Sequence, residues 1–124
     1  MDLQDQAQEF RHCYGVINSC GKRDNQMMLI KEEFEEFLDA HITMFDAASG
    51  ESDCLKELAD LVYVCFQYAE NMEWDLMEAM QRVHESNMSK LGEDGKPIRN
   101  DKGKVLKGPN YRPPVLDDLV HLIC

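Results

Sequence analysis

The stretch KELADLVYVCFQYA, residues 56–69, decides the fold class. Leu55, Leu58, Leu61, Val62, Cys65, Phe66 and Ala69 recur at intervals of three and four, the period of an α-helix, and cover more than one face. The spacing therefore predicts a deeply buried helix from about Ser52 to Asn71. Asp60 is the only charge between Leu58 and Ala69. An ionised carboxylate in so apolar a helix is costly unless it is paired or metal-bound. Asp60 is read either as a metal ligand or as half of a structural salt bridge to Lys31 or Arg82.

Upstream, KEEFEEF (31–37) lies in a second helix expected from about Asn25 to Met44, after Asp24 or Asn25 as cap. It places Glu33 and Glu36 three residues apart, as Glu57 and Asp60 are in the later helix, and residues so spaced share a helix face. The segment FDAASG (45–50) breaks the pattern between them. If the two helices form an antiparallel hairpin about Ala47, Glu33 meets Asp60 and Glu36 meets Glu57 to within about two residues, or ~3 Å of helix rise. Four carboxylates then share one patch. Such a patch repels itself unless cations neutralise it, and hard oxygen donors select Mg²⁺, Mn²⁺ or Ca²⁺ over zinc. A solvated acidic face is the competing reading of either pair alone.

Outward from this hairpin, Leu3, Ala7, Phe10 and Tyr14 mark a first amphipathic helix over 3–14 that ends between Gly15 and Gly21. A fourth helix starts at Asp75, with Glu78 as capping-box partner, and runs toward Ser89. The eight methionines are expected to fill the core. Beyond residue 91 the glycines and prolines predict an irregular arm with a small hairpin turned at Asp101-Lys102-Gly103, followed by a short helix from Leu116 to Ile123. The fold class is all-α, of four-helix-bundle type. Residues 1–91 are expected to form one helical domain that carries the acidic patch, with the arm and short helix of 92–124 packed on it.

The chain has 124 residues, enough for one domain with one core. Its net charge of −11 is uneven: residues 1–89 hold 19 acidic and 6 basic side chains, whereas 90–112 hold 3 acidic and 7 basic. The acidic body disfavours nucleic-acid binding, and no apolar run suits a membrane span. The polar N-terminus is unlike a secretory signal. Five cysteines, odd in number and without CxxC spacing, argue against a disulfide framework or zinc site and for a reducing cytoplasm. The four histidines form no metal-ligand array, and no P-loop is present, so any nucleotide binding must pass through metal.

The pattern Glu32-Glu33-x-x-Glu36, a gap, then Glu57-x-x-Asp60 within an apolar ELxDLxYV helix resembles the MazG-like all-α pyrophosphohydrolases. That superfamily also holds dimeric dUTPases and phosphoribosyl-ATP pyrophosphohydrolases. The tail, from HESNMSKL (84–91) through KGPNYRPP (107–114), is similar to short stand-alone members, some virus-encoded. Lys56 departs from the pattern, since many members have Glu there.

The resemblance implies Mg²⁺, with Mn²⁺ as substitute, held by Glu33, Glu36, Glu57 and Asp60. It also implies cleavage of a nucleoside triphosphate between the α and β phosphates, releasing the monophosphate and pyrophosphate. Glu36 or Glu32 takes the proton of the attacking water. The Asn87-x-x-Lys90 pair, an amide and an ammonium at the end of the fourth helix, is implied to bind phosphates; a helix C-terminal cap is its structural alternative. Tyr63, one turn beyond Asp60, is read either as a sugar or phosphate contact or as a core tyrosine. Lys102, Lys104, Lys107 and Arg112 either fold over the polyphosphate or serve solubility. The base pocket is expected to need a second subunit, because four helices spend most of their apolar faces on their own core, and the resemblance implies a homodimer or homotetramer. The expected location is the cytoplasm of a bacterium or of a virus-infected host cell. Two other readings stand beside this one: phosphoribosyl-ATP hydrolysis, and a non-catalytic acidic module that docks partner helices.

Overall fold

A reciprocal cap starts the first helix. The Asp2 carboxylate accepts from the Asp5 backbone N–H at 2.8 Å, and Asp5 accepts from the Asp2 N–H at 2.9 Å. This capping box satisfies two donors that a helix N-terminus otherwise leaves open. The computed structural model describes residues 1–121. Among them the order is α1 (Leu3–Cys13), a 3₁₀ turn (Cys20–Lys22), α2 (Arg23–Ile42), α3 (Gly50–Asn71), α4 (Leu76–Met88) and a second 3₁₀ turn (Asp117–Leu119). No β-strand occurs among the described residues, only an isolated antiparallel bridge between Arg99 and Val105. The all-α expectation holds. The described residues fall into two compact units, one built on Met1–Asp75 and the other on Leu76–Val120.

In the first unit α2 and α3 pack against each other and α1 packs on α3. Helix α2 starts two residues before the expected Asn25. Ser19 caps the 3₁₀ turn by accepting from the Gly21 N–H, and that turn runs straight into α2, leaving Asp24 inside the first turn rather than at the cap. The tight α2–α3 turn depends on Gly50. A Cβ at this position would lie 1.6 Å from the Met44 carbonyl oxygen, so any side chain there collides with backbone.

The buried face of α1 is Gln4, Ala7 and Arg11; of the apolar stripe read from sequence Ala7 is buried, whereas Leu3, Phe10 and Tyr14 are exposed. A polar network explains the difference. Arg11 donates to Asn18 (2.7 Å), Gln67 (3.2 Å) and Asn71 (3.1 Å). The fully buried Asn71 in turn accepts from the Ser19 N–H and donates to the Ser19 carbonyl, tying the 14–22 segment to α3. Burial pushes the Arg11 pKa down, and the Glu70 carboxylate opposes that shift.

Two burial expectations are overturned. Helix α3 buries Cys54, Phe66 and Ala69, yet Leu55, Leu58 and Val62 are exposed. Met72 is buried, whereas Met27, Met28, Met80 and Met88 are exposed, so the methionines do not fill the core. A short chain has too few helices to enclose every apolar face it presents. Cys13, Cys54 and Cys65 are free thiols, whereas Cys20 is disulfide-bonded, although the number and spacing of the cysteines argued against a disulfide framework.

The second unit holds α4 and the arm. Arg82 of α4 grips the Asp118 carboxylate with two N–H groups, at 2.6 and 3.0 Å, and donates to the Val115 carbonyl and to Glu78. The arm closes on the end of α4 where the Gly108 N–H donates to the Lys90 carbonyl at 2.8 Å. A Cβ at Gly108 would lie 2.4 Å from the Leu91 carbonyl oxygen. The expected hairpin is present as one bridge, with Gly103 at φ 80° and Asn100 accepting from the Lys102 and Lys104 N–H groups. The terminal helix expected over 116–123 is instead the 3₁₀ turn Asp117–Leu119. The Arg82 clamp holds Asp118, and Val120 is already extended. Residues 122 and 123 of that expected helix lie outside the described residues.

Candidate active site

The hairpin of α2 and α3 brings together three of the four expected metal ligands. Carboxylate oxygens of Glu33, Glu36 and Glu57 all lie within 4.8 Å of one another. The spacing of three on α2 puts Glu33 and Glu36 on one face, and α3 presents Glu57 opposite. Glu33 and Glu57 are half-buried and Glu36 is exposed, so the group opens to solvent on one side.

Two oxygens in this group are orphaned. Glu33 Oε2 and Glu57 Oε2 are buried and have no hydrogen-bond partner among the described residues. A carboxylate oxygen in that state has lost water and gained nothing, which costs free energy unless a cation or a proton arrives. The electrostatics agree. Burial, a hydrogen bond to Glu36 and the charges of Glu36, Asp60 and Glu57 push the Glu33 pKa up to about 7. Close anionic oxygens with unmet coordination suit a hard divalent cation such as Mg²⁺ or Mn²⁺.

Asp60 stands apart from the tight group, although its charge is felt at Glu33. Its partner is Lys56, whose ammonium lies 2.7 Å from Asp60 Oδ2 and 3.4 Å from Glu57 Oε1. Neither Lys31 nor Arg82, the partners weighed from sequence, takes that place: Lys31 pairs with Glu35, and Arg82 with Glu78 and Asp118. The two carboxylates push the Lys56 pKa up to about 12. Sequence reasoning treated Lys56 as a departure from the family pattern, yet its i,i+4 spacing to Asp60 was the signal that the two meet.

The remaining expected residues are placed as follows. Glu32 is exposed on α2 and outside the tight group. Tyr63 packs edge to face on Phe10 of α1, ring centroids 5.8 Å apart, and lines an apolar groove of about 370 Å³ between α1 and α3 with Leu3, Leu55, Leu58 and Phe66. With Tyr63 37% exposed, the ring packs on Phe10 without being enclosed as a core tyrosine. In the second unit, Asn87 is exposed near the end of α4, and its carbonyl accepts from the Lys90 N–H at 3.2 Å. Their side chains make no hydrogen bond among the described residues.

The arrangement can bind a divalent cation on an acidic face and present an exposed carboxylate, Glu36, beside it. Residues 18–87 match the family model described as phosphoribosyl-ATP pyrophosphohydrolase. The match spans more than half of the chain and includes both acidic pairs. No curated protein matches the chain.

Proposed function

The chain belongs to the phosphoribosyl-ATP pyrophosphohydrolase family, part of the MazG-like all-α nucleotide pyrophosphohydrolases, and from that premise we propose that it hydrolyses a nucleotide 5′-triphosphate between the α and β phosphates in a Mg²⁺-dependent reaction. The observation that carries this reading is the group formed by Glu33, Glu36 and Glu57, with two buried oxygens left unpartnered. These three residues would hold the cation, with Asp60 at the edge of the site. A bound divalent cation supplies the positive charge that draws a polyphosphate to an acidic face and stabilises the charge developing on the phosphoryl oxygens.

The protein's own contribution is to place a proton acceptor and a water. Water attacks the α phosphorus, the bond to the bridging oxygen breaks, and pyrophosphate leaves. Glu36, the exposed member of the group, accepts the proton of that water; Glu32, also exposed on α2, is the second choice. For Asn87 and Lys90 the proposed role is contact with phosphate oxygens, as the resemblance implies.

Two substrate readings share this chemistry. A plain (d)NTP and a phosphoribosyl-ATP carry the same triphosphate chain and differ on the base side. The second is favoured by the name of the matching family; the likeness of residues 84–91 and 107–114 to stand-alone members favours the first. The exposed apolar side chains of α2 and α3, including Phe34, Leu55 and Leu58, support a homodimer or homotetramer.

A substrate panel tests the proposal: standard and modified NTPs, dNTPs and phosphoribosyl-ATP, with Mg²⁺, Mn²⁺ or EDTA, reading pyrophosphate against phosphate. The expected result is pyrophosphate from at least one nucleotide, abolished by EDTA. Absence of release from every member with Mg²⁺ and Mn²⁺ would leave a non-catalytic helical module as the better reading.

A further inference from the structure

We infer that Lys56 takes the place of one divalent cation, so that this site holds a single resident metal ion rather than a bridged pair. The inference rests on the cation site proposed above and concerns how many ions it takes. The structure divides the four carboxylates into two parts. Glu33, Glu36 and Glu57 come within 4.8 Å of one another, while Asp60 is left out of that set. The two buried, unpartnered oxygens belong to Glu33 and Glu57.

Glu57 itself is divided. Its Oε2 is the orphan, and its Oε1 faces the Lys56 ammonium at 3.4 Å. The same ammonium lies 2.7 Å from Asp60 Oδ2. A second cation bridging Glu57 and Asp60 would therefore have to occupy the ground that Lys56 holds.

Lys56 is also hard to keep away. It sits one turn before Asp60 on the same helix, so its charge remains beside any ion bound there even if the ion pair opens. Charge balance points the same way. Four carboxylates with one divalent ion and one ammonium leave a net charge of −1, whereas two divalent ions beside the ammonium would make the empty site positive. Any further cation then enters with the negative charge of the substrate.

Counting Mn²⁺ bound to the full chain without nucleotide, by electron paramagnetic resonance at about pH 8, tests this. The wild type is expected to bind one Mn²⁺ per chain with an uncoupled spectrum. Lys56→Arg, which keeps the charge, should also bind one; Lys56→Glu should bind two and show a spin-coupled pair. Lys56 is largely exposed, so these variants are expected to retain the helix content that circular dichroism reads. Two Mn²⁺ in the wild type, or one or none in Lys56→Glu beside a wild type that binds one, would overturn the role of Lys56. No Mn²⁺ in any of the three would overturn the carboxylate site itself.

Discussion

Glu33 on α2 and Glu57 on α3 approach within 4.8 Å, oxygen to oxygen, and each keeps one oxygen buried without a partner. Burial, a hydrogen bond to Glu36 and the charges of Glu36, Asp60 and Glu57 hold a proton on Glu33 up to about pH 7 in the metal-free protein. The ordinary Glu value of 4.5 lies well below that. Between these two values the folded chain binds more protons than the unfolded chain. The contribution of Glu33 to metal-free stability is therefore full at low pH and is lost as pH rises through about 7. A divalent cation selects the ionised form and releases that proton. The thermal shift induced by Mg²⁺ should accordingly be larger at about pH 8 than at about pH 6. Differential scanning calorimetry in Mg²⁺ and in EDTA reads this; a shift independent of pH would separate Glu33 from metal binding.

Neutralising either orphaned carboxylate should stabilise the empty protein and disable the loaded one. At about pH 8, above the raised Glu33 pKa, Glu33→Gln and Glu57→Gln remove repulsion, so the metal-free Tm is expected to rise by a few degrees, on the order of 1 kcal/mol. Mg²⁺-dependent turnover should fall at least about 100-fold, since even second-sphere partners of a metal are worth 10–100-fold. Melting curves and pyrophosphate release on the same preparations check both halves. A variant with unchanged Tm and near-native turnover would mark these residues as ordinary surface acids.

Gly50→Ala tests the turn that brings the acidic pairs together. Its Cβ would meet the Met44 carbonyl at 1.6 Å, and backbone yields less readily than a side chain. The expected cost is roughly 3 kcal/mol, at the upper end for overpacking, with weaker Mn²⁺ binding because α2 and α3 shift apart. Chemical denaturation and Mn²⁺ titration read the two effects.

Arg11→Met should be strongly destabilising, by about 3 kcal/mol. It leaves the buried Asn71 and Gln67 without a donor that meets them at 3.1 and 3.2 Å. Hydrogen exchange should then accelerate first across residues 14–22, the segment that Asn71 ties down through Ser19. Uniform acceleration across the first unit would mean that the network does not act on that segment in particular.

The exposed apolar groove between α1 and α3 gives the oligomer proposal a handle. Leu58→Glu places a charge in that groove and should lower the mass measured by light scattering if copies of the chain meet there. A wild-type monomer at micromolar concentration would contradict the proposed dimer or tetramer.

Helical periodicity made the all-α class legible, and the matching heights of the two acidic pairs brought Glu33, Glu36 and Glu57 together before any coordinates. The partner of Asp60 was less legible. Periodicity ranks apolar faces, and the competition among Lys31, Lys56 and Arg82 for one carboxylate is decided by distances of a few ångströms. The buried side of α1 escaped for a related reason: Arg11 is covered because Asn71 and Gln67 can satisfy it, and hydropathy carries no record of such a match. Leu55 and Leu58 were expected inside because their helix is apolar nearly all round, but their exposure depends on how many neighbours the chain supplies. The terminal residues 116–121 follow the Arg82–Asp118 clamp rather than their own helical spacing.

Anomalous diffraction from a crystal soaked in Mn²⁺ would locate the cation itself. The expected result is a manganese peak within bonding distance of Glu33, Glu36 and Glu57. Density that shows the three carboxylates without a metal peak, or manganese bound elsewhere on the acidic surface, would contradict it.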